Sequence, residues 1–138
     1  MNKPYLHHVL VAAEDIDRSR AFYRDVLELE EIDRPIFDYP GIWFRIGDNG
    51  HQLHILIRPD AMLRTGRTND PYDVHFAMRV GSYRETIDWL QAKGFRQDVP
   101  DSDLKHVAVR PDSVTGYPQI YILDPDRNII EFNCETLD

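Results

Sequence analysis

Apolar positions follow two rhythms along this chain, and the rhythms alternate in an order that occurs twice. Residues 5–12 are rich in apolar side chains with weak alternation, which predicts a strand. Ile16, Ala21, Phe22, Val26 and Leu29 keep near-helical spacing behind Asp15 or Asp17, either of which can cap a helix running to about Leu27. A short strand over 29–33 ends before Pro35. Ile42–Ile46 and Gln52–Ile57 are strands joined by the turn Gly47-Asp48-Asn49-Gly50, whose Asn-Gly favours positive φ. From Pro59 to Pro71 the chain is polar and aperiodic. The second round begins with a strand over Val74–Val80. Ser82-Tyr83-Arg84-Glu85 fits a capping box for a helix that runs to about Lys93 and stops at Gly94. Phe95–Val99 reads as a strand, and 100–117 as a long loop of the kind that covers a site, with a short extended piece at His106–Val109. Gln119–Leu123 and Ile129–Asn133 form a last hairpin around Asp124–Asn128.

The order βαβββ, repeated, predicts an α+β fold of two tandem modules whose curled mixed sheets surround a metal-binding cavity. We expect one domain over 1–138, with module 1 at about 1–60, a linker at 61–71 and module 2 at about 72–138. The repeat also holds in register. Phe22 follows His8 by the same interval that separates Trp89 from His75, and Phe44 precedes His54 by the interval between Tyr121 and Glu131.

Candidate chemistry lies at matched places in this repeat. His8 and His75 each open a strand, and His54 and Glu131 each sit late in another. Side chains alternate along a strand, so each module can present its two groups on one face if its first and last strands are neighbours. Three imidazoles and a carboxylate can hold one divalent ion. Such an N3O set suits Zn, Ni, Co, Mn and Fe alike. Taken singly, a strand histidine is more often a hydrogen-bonded structural residue than a ligand. Glu131 is more telling, because a carboxylate between Ile129-Ile130 and Phe132 needs a cation, donors or solvent. His7, His51 and His106 read as structural or surface residues, with His7 pointing away from His8. Phe44 and Tyr121 share strand parity with His54 and Glu131 and are expected to line the cavity. Arg45, Arg58, Arg79 and Arg110 are candidates for an anionic substrate group, with Arg45, Arg79 and Arg110 placed in the site. Trp43 and Trp89 read as core.

Composition narrows the classes. The chain has 138 residues, a net charge of −8 and 42 % hydrophobic residues, enough for one ordinary domain. The acidic balance argues against nucleic acid and against an anionic membrane surface. No apolar run suggests a membrane span. The start of the chain lacks signal-peptide character, so a cytoplasmic location is expected. The single cysteine, Cys134, excludes an internal disulfide and reads as a small residue closing the last strand.

The sequence resembles the vicinal-oxygen-chelate superfamily, which includes glyoxalase I, fosfomycin-resistance enzymes, extradiol dioxygenases and bleomycin-resistance proteins. The resemblance is carried by His8–Val11, Asp17–Leu27, Val74–Ala77 and Tyr121–Glu131. It implies paired βαβββ modules, a metal that chelates vicinal oxygens of a small substrate, and a homodimer. Among the member activities, glyoxalase I best matches a ligand at all four positions, which implies a lyase or isomerase with Glu131 as the base. Glyoxalase I also carries an arginine and an asparagine where this chain has Ala12 and Arg58, so glutathione is not the expected substrate. The fosfomycin enzymes imply His8, His75 and Glu131 with a tyrosine like Tyr121, and the dioxygenases a His, His, Glu triad. Bleomycin-resistance-type proteins supply a non-catalytic, small-molecule-binding alternative. The family turn usually reads Gly-Asn where this chain has Arg127-Asn128.

Overall fold

The computed structural model describes residues 3–60 and 64–138. The chain divides into two compact units, Met1–Leu63 and Arg64–Asp138. The first contains β1 (His8–Ala13), α1 (Ile16–Arg20), a π-helical segment (Ala21–Val26), β2 (Glu30–Ile32), β3 (Gly41–Ile46) and β4 (His51–Ile57). The second contains β5 (His75–Ser82), α2 (Tyr83–Ala92), β6 (Ala108–Arg110), β7 (Gln119–Leu123) and β8 (Ile129–Thr136). Each unit forms one four-stranded mixed sheet, in the orders β1-β4-β3-β2 and β5-β8-β7-β6. This is the expected α+β fold of two βαβββ modules. Part of the expected linker, residues 61–63, lies outside the described residues.

Each sheet has one face against its helix and one free of it. In the first unit Ile42, Phe44, Leu53 and Ile55 are buried on the helical side, and the Phe44 ring lies 5.8 Å from Tyr23 of the π-helical segment. In the second, Ile120, Ile122, Ile130, Phe132 and Cys134 are buried on that side, with Trp89 of α2 edge-on to Phe132 at 5.8 Å. Burying aliphatic and aromatic surface between sheet and helix drives the folding of each unit. The helical ends follow from local chemistry. Asp15 accepts from the Arg18 amide at 2.7 Å and caps α1. Ser82 accepts from the Glu85 amide at 3.0 Å and donates to the Asp138 carboxylate at 2.6 Å, so α2 is capped by its own first turn and by the chain's last residue.

Three expectations need correction. The first helix widens into a π-helix after Arg20, and the Leu27 amide reaches back to the Phe22 carbonyl at 2.9 Å. The wider turn brings Phe22, Tyr23 and Leu27 into the core together, which a 3.6-residue period does not do. Phe95–Val99 is not a strand. Arg96 makes a single parallel bridge to His106, and its side chain turns back onto Asp98 at 2.6 Å. The second strand of the unit is instead β6, Ala108–Arg110, which overlaps the short extended piece expected at His106–Val109 inside the segment read as a loop. The start of that segment is tied down rather than free: the Asn69 amide donates to the carbonyls of His106 at 3.1 Å and Tyr121 at 2.9 Å, and Arg127 donates to the Ser102 carbonyl at 3.0 Å.

Candidate functional site

Strand register decides which side chains meet. In the first unit β1 runs parallel to β4 with His8 opposite Gln52 and Leu10 opposite His54. In the second β5 runs parallel to β8 with His75 opposite Ile129 and Ala77 opposite Glu131. The first-strand group is therefore two positions diagonal to the last-strand group in both units, on the face away from the helix. Within each unit the structure brings the sequence-predicted pair together.

The two pairs meet differently. His75 Nε2 lies 2.9 Å from Glu131 Oε2. His75 Nδ1–H donates to the Asp73 carbonyl at 2.8 Å, which fixes the ring and aims Nε2 at the carboxylate. Glu131 is 4 % exposed, and its other oxygen accepts from Gln119 at 2.9 Å and Asn133 at 3.3 Å. Tyr121 stands directly across the hairpin from Glu131, with its ring edge-on to His75 at 5.5 Å. Burial, followed by the negative Glu131, pushes the Tyr121 phenol above its ordinary range.

His8 and His54 instead stack face to face, with centroids 4.1 Å apart and planes 15° from parallel. The other face of His54 lies on Trp43 at 4.0 Å and 2°. His54 Nε2–H donates to Gln52 Oε1 at 2.8 Å, and His8 Nδ1 is 3.0 Å from His7 Nδ1. His54 is 8 % exposed. Burial first, then His8, His7 and Arg34, pulls its pKa down to about 4, so the ring is neutral at pH 7.

The test for a divalent ion is the donor set. The His75–Glu131 contact needs a proton between two groups that are otherwise both acceptors there, and a cation can replace that proton. The Asp73 carbonyl, Gln119 and Asn133 supply the supporting shell that a ligating imidazole and carboxylate require. Among the described residues no group of three or more His, Cys, Asp or Glu side chains is placed to hold an ion, and the second unit offers two donors, His75 and Glu131. The lone pairs of stacked His8 and His54 lie in near-parallel planes, so joint ligation by these two requires ring rotation.

Two readings of side-chain direction are corrected. Phe44 pairs with Leu53, not His54, and faces the helix, 0 % exposed. The residue across from His54 is Trp43, which sequence reasoning placed in the core. His7 does not turn away from His8, because it precedes the strand and strand alternation does not govern it. Arg45 lies on the His54 face, paired with Glu30 at 3.1 Å. Arg79 and Arg110 lie on the Glu131 face, over the rings of Tyr117 at 4.2 Å and Tyr72 at 4.4 Å. Gln52, Gln119, Asn133 and the Asp73 carbonyl were missed. Even spacing from His54 and Glu131 marks the three amides, but nothing in the sequence marks the carbonyl. Cys134 is fully buried, and burial raises its thiol to about 11, which suits a packing residue.

Two mixed βαβββ sheets, each with a polar pair on its helix-free face, define an α+β protein of two tandem modules. Residues 5–132 match the family model of the glyoxalase/bleomycin resistance protein/dioxygenase superfamily, and the chain belongs to that family. The uncharacterized protein YwkD of Bacillus subtilis (strain 168) is 25 % identical over 128 residues, covering 91 % of this chain and 93 % of its own. A crystal structure from Bacillus anthracis, assigned to the glyoxalase family, superposes with a TM-score of 0.74 at 24 % identity, over 99 % of this chain and 98 % of that one. A mutant of the Listeria monocytogenes fosfomycin resistance protein FosX, complexed with Mn(II) and a dihydroxypropylphosphonic acid, gives 0.66 at 20 %, covering 99 % and 95 %. The antibiotic-binding protein TnmS3 from Streptomyces gives 0.69 at 16 %, covering 99 % of each chain. At these identities the solved structures establish the fold.

Proposed function

We propose that this chain is a divalent-metal-dependent enzyme acting on a small organic substrate, a glyoxalase-type lyase or isomerase that is not specific for glutathione. The observation that carries the reading is the His75–Glu131 pair at 2.9 Å, its carboxylate buried and flanked by two amide donors, its imidazole partly exposed and oriented by a backbone carbonyl. In this reading His8, His54, His75 and Glu131 would be the ligands of the ion. When bound, the ion supplies Lewis-acid polarisation of substrate oxygens. The chain's own residues handle the proton. Glu131 Oε2 accepts it, while Gln119 and Asn133 hold the other carboxylate oxygen in place. Tyr121 walls the pair, and Arg79 and Arg110 on the same face meet an anionic group of the substrate, as does Arg45 on the His54 face. In this reading the whole chain acts as one domain, in the cytoplasm and as a homodimer. No helix among the described residues is long and apolar enough to cross a membrane.

A second reading, a non-catalytic small-molecule binder, is favoured by the Trp43–His54–His8 stack, which presents flat rings rather than convergent donors. Elemental analysis of untagged protein separates the two. We expect about one divalent ion per chain, with affinity reduced roughly 100-fold or more in Glu131→Gln and less in His54→Ala, as follows from losing a ligand rather than its support. Absence of metal after incubation with excess Zn, Ni, Co, Mn or Fe leaves the binder. Nickel or zinc directs assays to isomerisation, and iron to oxygen uptake.

A further inference from the structure

Arg34 is a cation of the first unit whose setting the proposed chemistry leaves unexplained. It sits in the connection between β2 and β3. Its guanidinium carbon lies 4.5 Å from the centre of the Phe37 ring and 5.1 Å from that of Tyr39, and these two rings are themselves stacked at 5.1 Å. The group lies across Gly41: a Cβ there would meet the Ile55 carbonyl oxygen at 2.6 Å first, then Arg34 Nε at 3.0 Å and Cζ at 3.1 Å. Gly41 does not have positive φ, so glycine at this position answers a need for space, not for backbone freedom.

What Arg34 lacks is an anion. Arg20, Arg24, Arg45, Arg64 and Arg96 each hold a carboxylate within 3.1 Å. Among the described residues none lies within ion-pair distance of Arg34, in a chain with 24 acidic side chains. Arg34 donates from Nη2 to the Tyr39 carbonyl at 3.1 Å, and its Nε is buried without a hydrogen-bond partner. A guanidinium held against two stacked rings, with no carboxylate partner among the described residues, is set to grip a planar carboxylate with its fork. Phe37 connects this cluster to the helix-free face, with its ring 6.2 Å from Trp43. The cluster borders an open groove of about 490 Å³, which Asp38 also lines without pairing to Arg34.

We propose that Arg34 is a specificity-determining residue that binds the carboxylate of a small organic acid whose flat apolar body lies against Phe37, Tyr39 and Trp43. The proposal rests on reading the His54 face as a substrate surface; it does not depend on a metal being bound. The test is titration of the full-length protein with benzoate and with neutral benzamide, following the Trp43 indole N–H signal by NMR, with Trp89→Phe assigning the two indoles. Benzoate should bind wild type and weaken roughly ten- to a hundredfold in Arg34→Gln, the range for a lost charge-assisted hydrogen bond. Benzamide should bind weakly and equally to both. Arg34→Lys keeps the charge but loses the fork, and should retain part of the preference for benzoate. Equal binding of benzoate and benzamide by the wild type overturns the proposal, as does undiminished benzoate binding in Arg34→Gln. If Arg34→Gln does not fold, Arg34→Lys decides: benzoate binding as tight as wild type would show that the fork is not used and overturn the assignment. Metal content measured on the same samples separates this result from the metal reading, since Arg34→Gln should leave it unchanged.

Discussion

The two units share strand order, register and the diagonal placement of their polar pairs, yet one pair bonds edge to edge and the other stacks face to face. The difference lies in what stands across the hairpin. Tyr121 meets His75 edge-on, and Gln119 and Asn133 bond to Glu131, so the imidazole and the carboxylate share one plane of approach. Trp43 offers a flat surface 4.0 Å from His54, and His8 completes the stack on the other side. A repeated backbone therefore does not repeat the chemistry; the neighbour on the third strand sets it. In the second unit an imidazole nitrogen meets a carboxylate oxygen, whereas the first unit holds its rings against aromatic surface.

Substitutions can break this comparison, and the largest effect is expected from the third strand itself. Phe44→Ala removes a fully buried ring from the helix side and should cost about 3–5 kcal/mol in urea unfolding. Trp43→Ala, half-buried on the opposite face, should cost less than half as much and should instead change the environment of His54. Comparable losses for the two would show that both rings serve the core. Next, in metal-free protein, His75→Ala takes a partner from a buried carboxylate and should cost about 1–3 kcal/mol. His8→Ala removes only an outer ring of a stack and should cost about 1 kcal/mol or less. Equal costs would mean that the two pairs do the same structural work.

Acid provides a third comparison. His54 is held neutral down to about pH 4, whereas an unfolded histidine takes its proton near 6.5. Its contribution is whole above pH 6.5 and declines as pH falls towards 4, because there the unfolded chain binds the extra proton. Metal-free wild type should lose on the order of 1–2 kcal/mol from this group between pH 7 and pH 5. His54→Phe should flatten that part of the stability curve, and an unchanged slope would mean that the ring protonates in place.

The smallest effect is expected in the turns. Gly47 and Gly50 have φ of +60° and +81° in the first hairpin, while Arg127 takes +67° in the second. Its guanidinium compensates by donating to the Arg67 and Ser102 carbonyls at 2.9 and 3.0 Å. Arg127→Gly relieves a strain of about 1 kcal/mol and removes those bonds, so the melting temperature should move only slightly. Gly47→Ala has no compensating bond and should destabilise by about 1 kcal/mol. A large loss in Arg127→Gly would assign the turn's stability to the side chain.

Most of the fold is legible in the sequence because it rests on patterns of one element at a time. The apolar run in Gln119–Leu123, the cap at Ser82 and the stop at Gly94 each act over a few residues. The two polar pairs are legible for the same reason, since they occupy equal places in a repeat. What escapes is what depends on two elements at once. β6 is legible only as a short extended piece at His106–Val109, and its bounds, Ala108–Arg110, come from pairing with β7. The π-helical turn is selected by the packing of Phe22, Tyr23 and Leu27, not by a local signal. Parity within one strand orders its own side chains, but comparing parity across a hairpin requires knowing the register, which is why Phe44 and Trp43 exchange roles.

That register has an evolutionary consequence. Four residues, 47–50, separate β3 from β4, and five, 124–128, separate β7 from β8. A hairpin that gains or loses one loop residue while its last strand stays in place turns the preceding strand over. Insertion or deletion of a single codon at such a turn can therefore exchange the whole row of side chains that a strand offers to a ligand, with the paired backbone retained. In a fold built twice, the loop length becomes a heritable switch by which one copy can take on new chemistry while the other keeps the old.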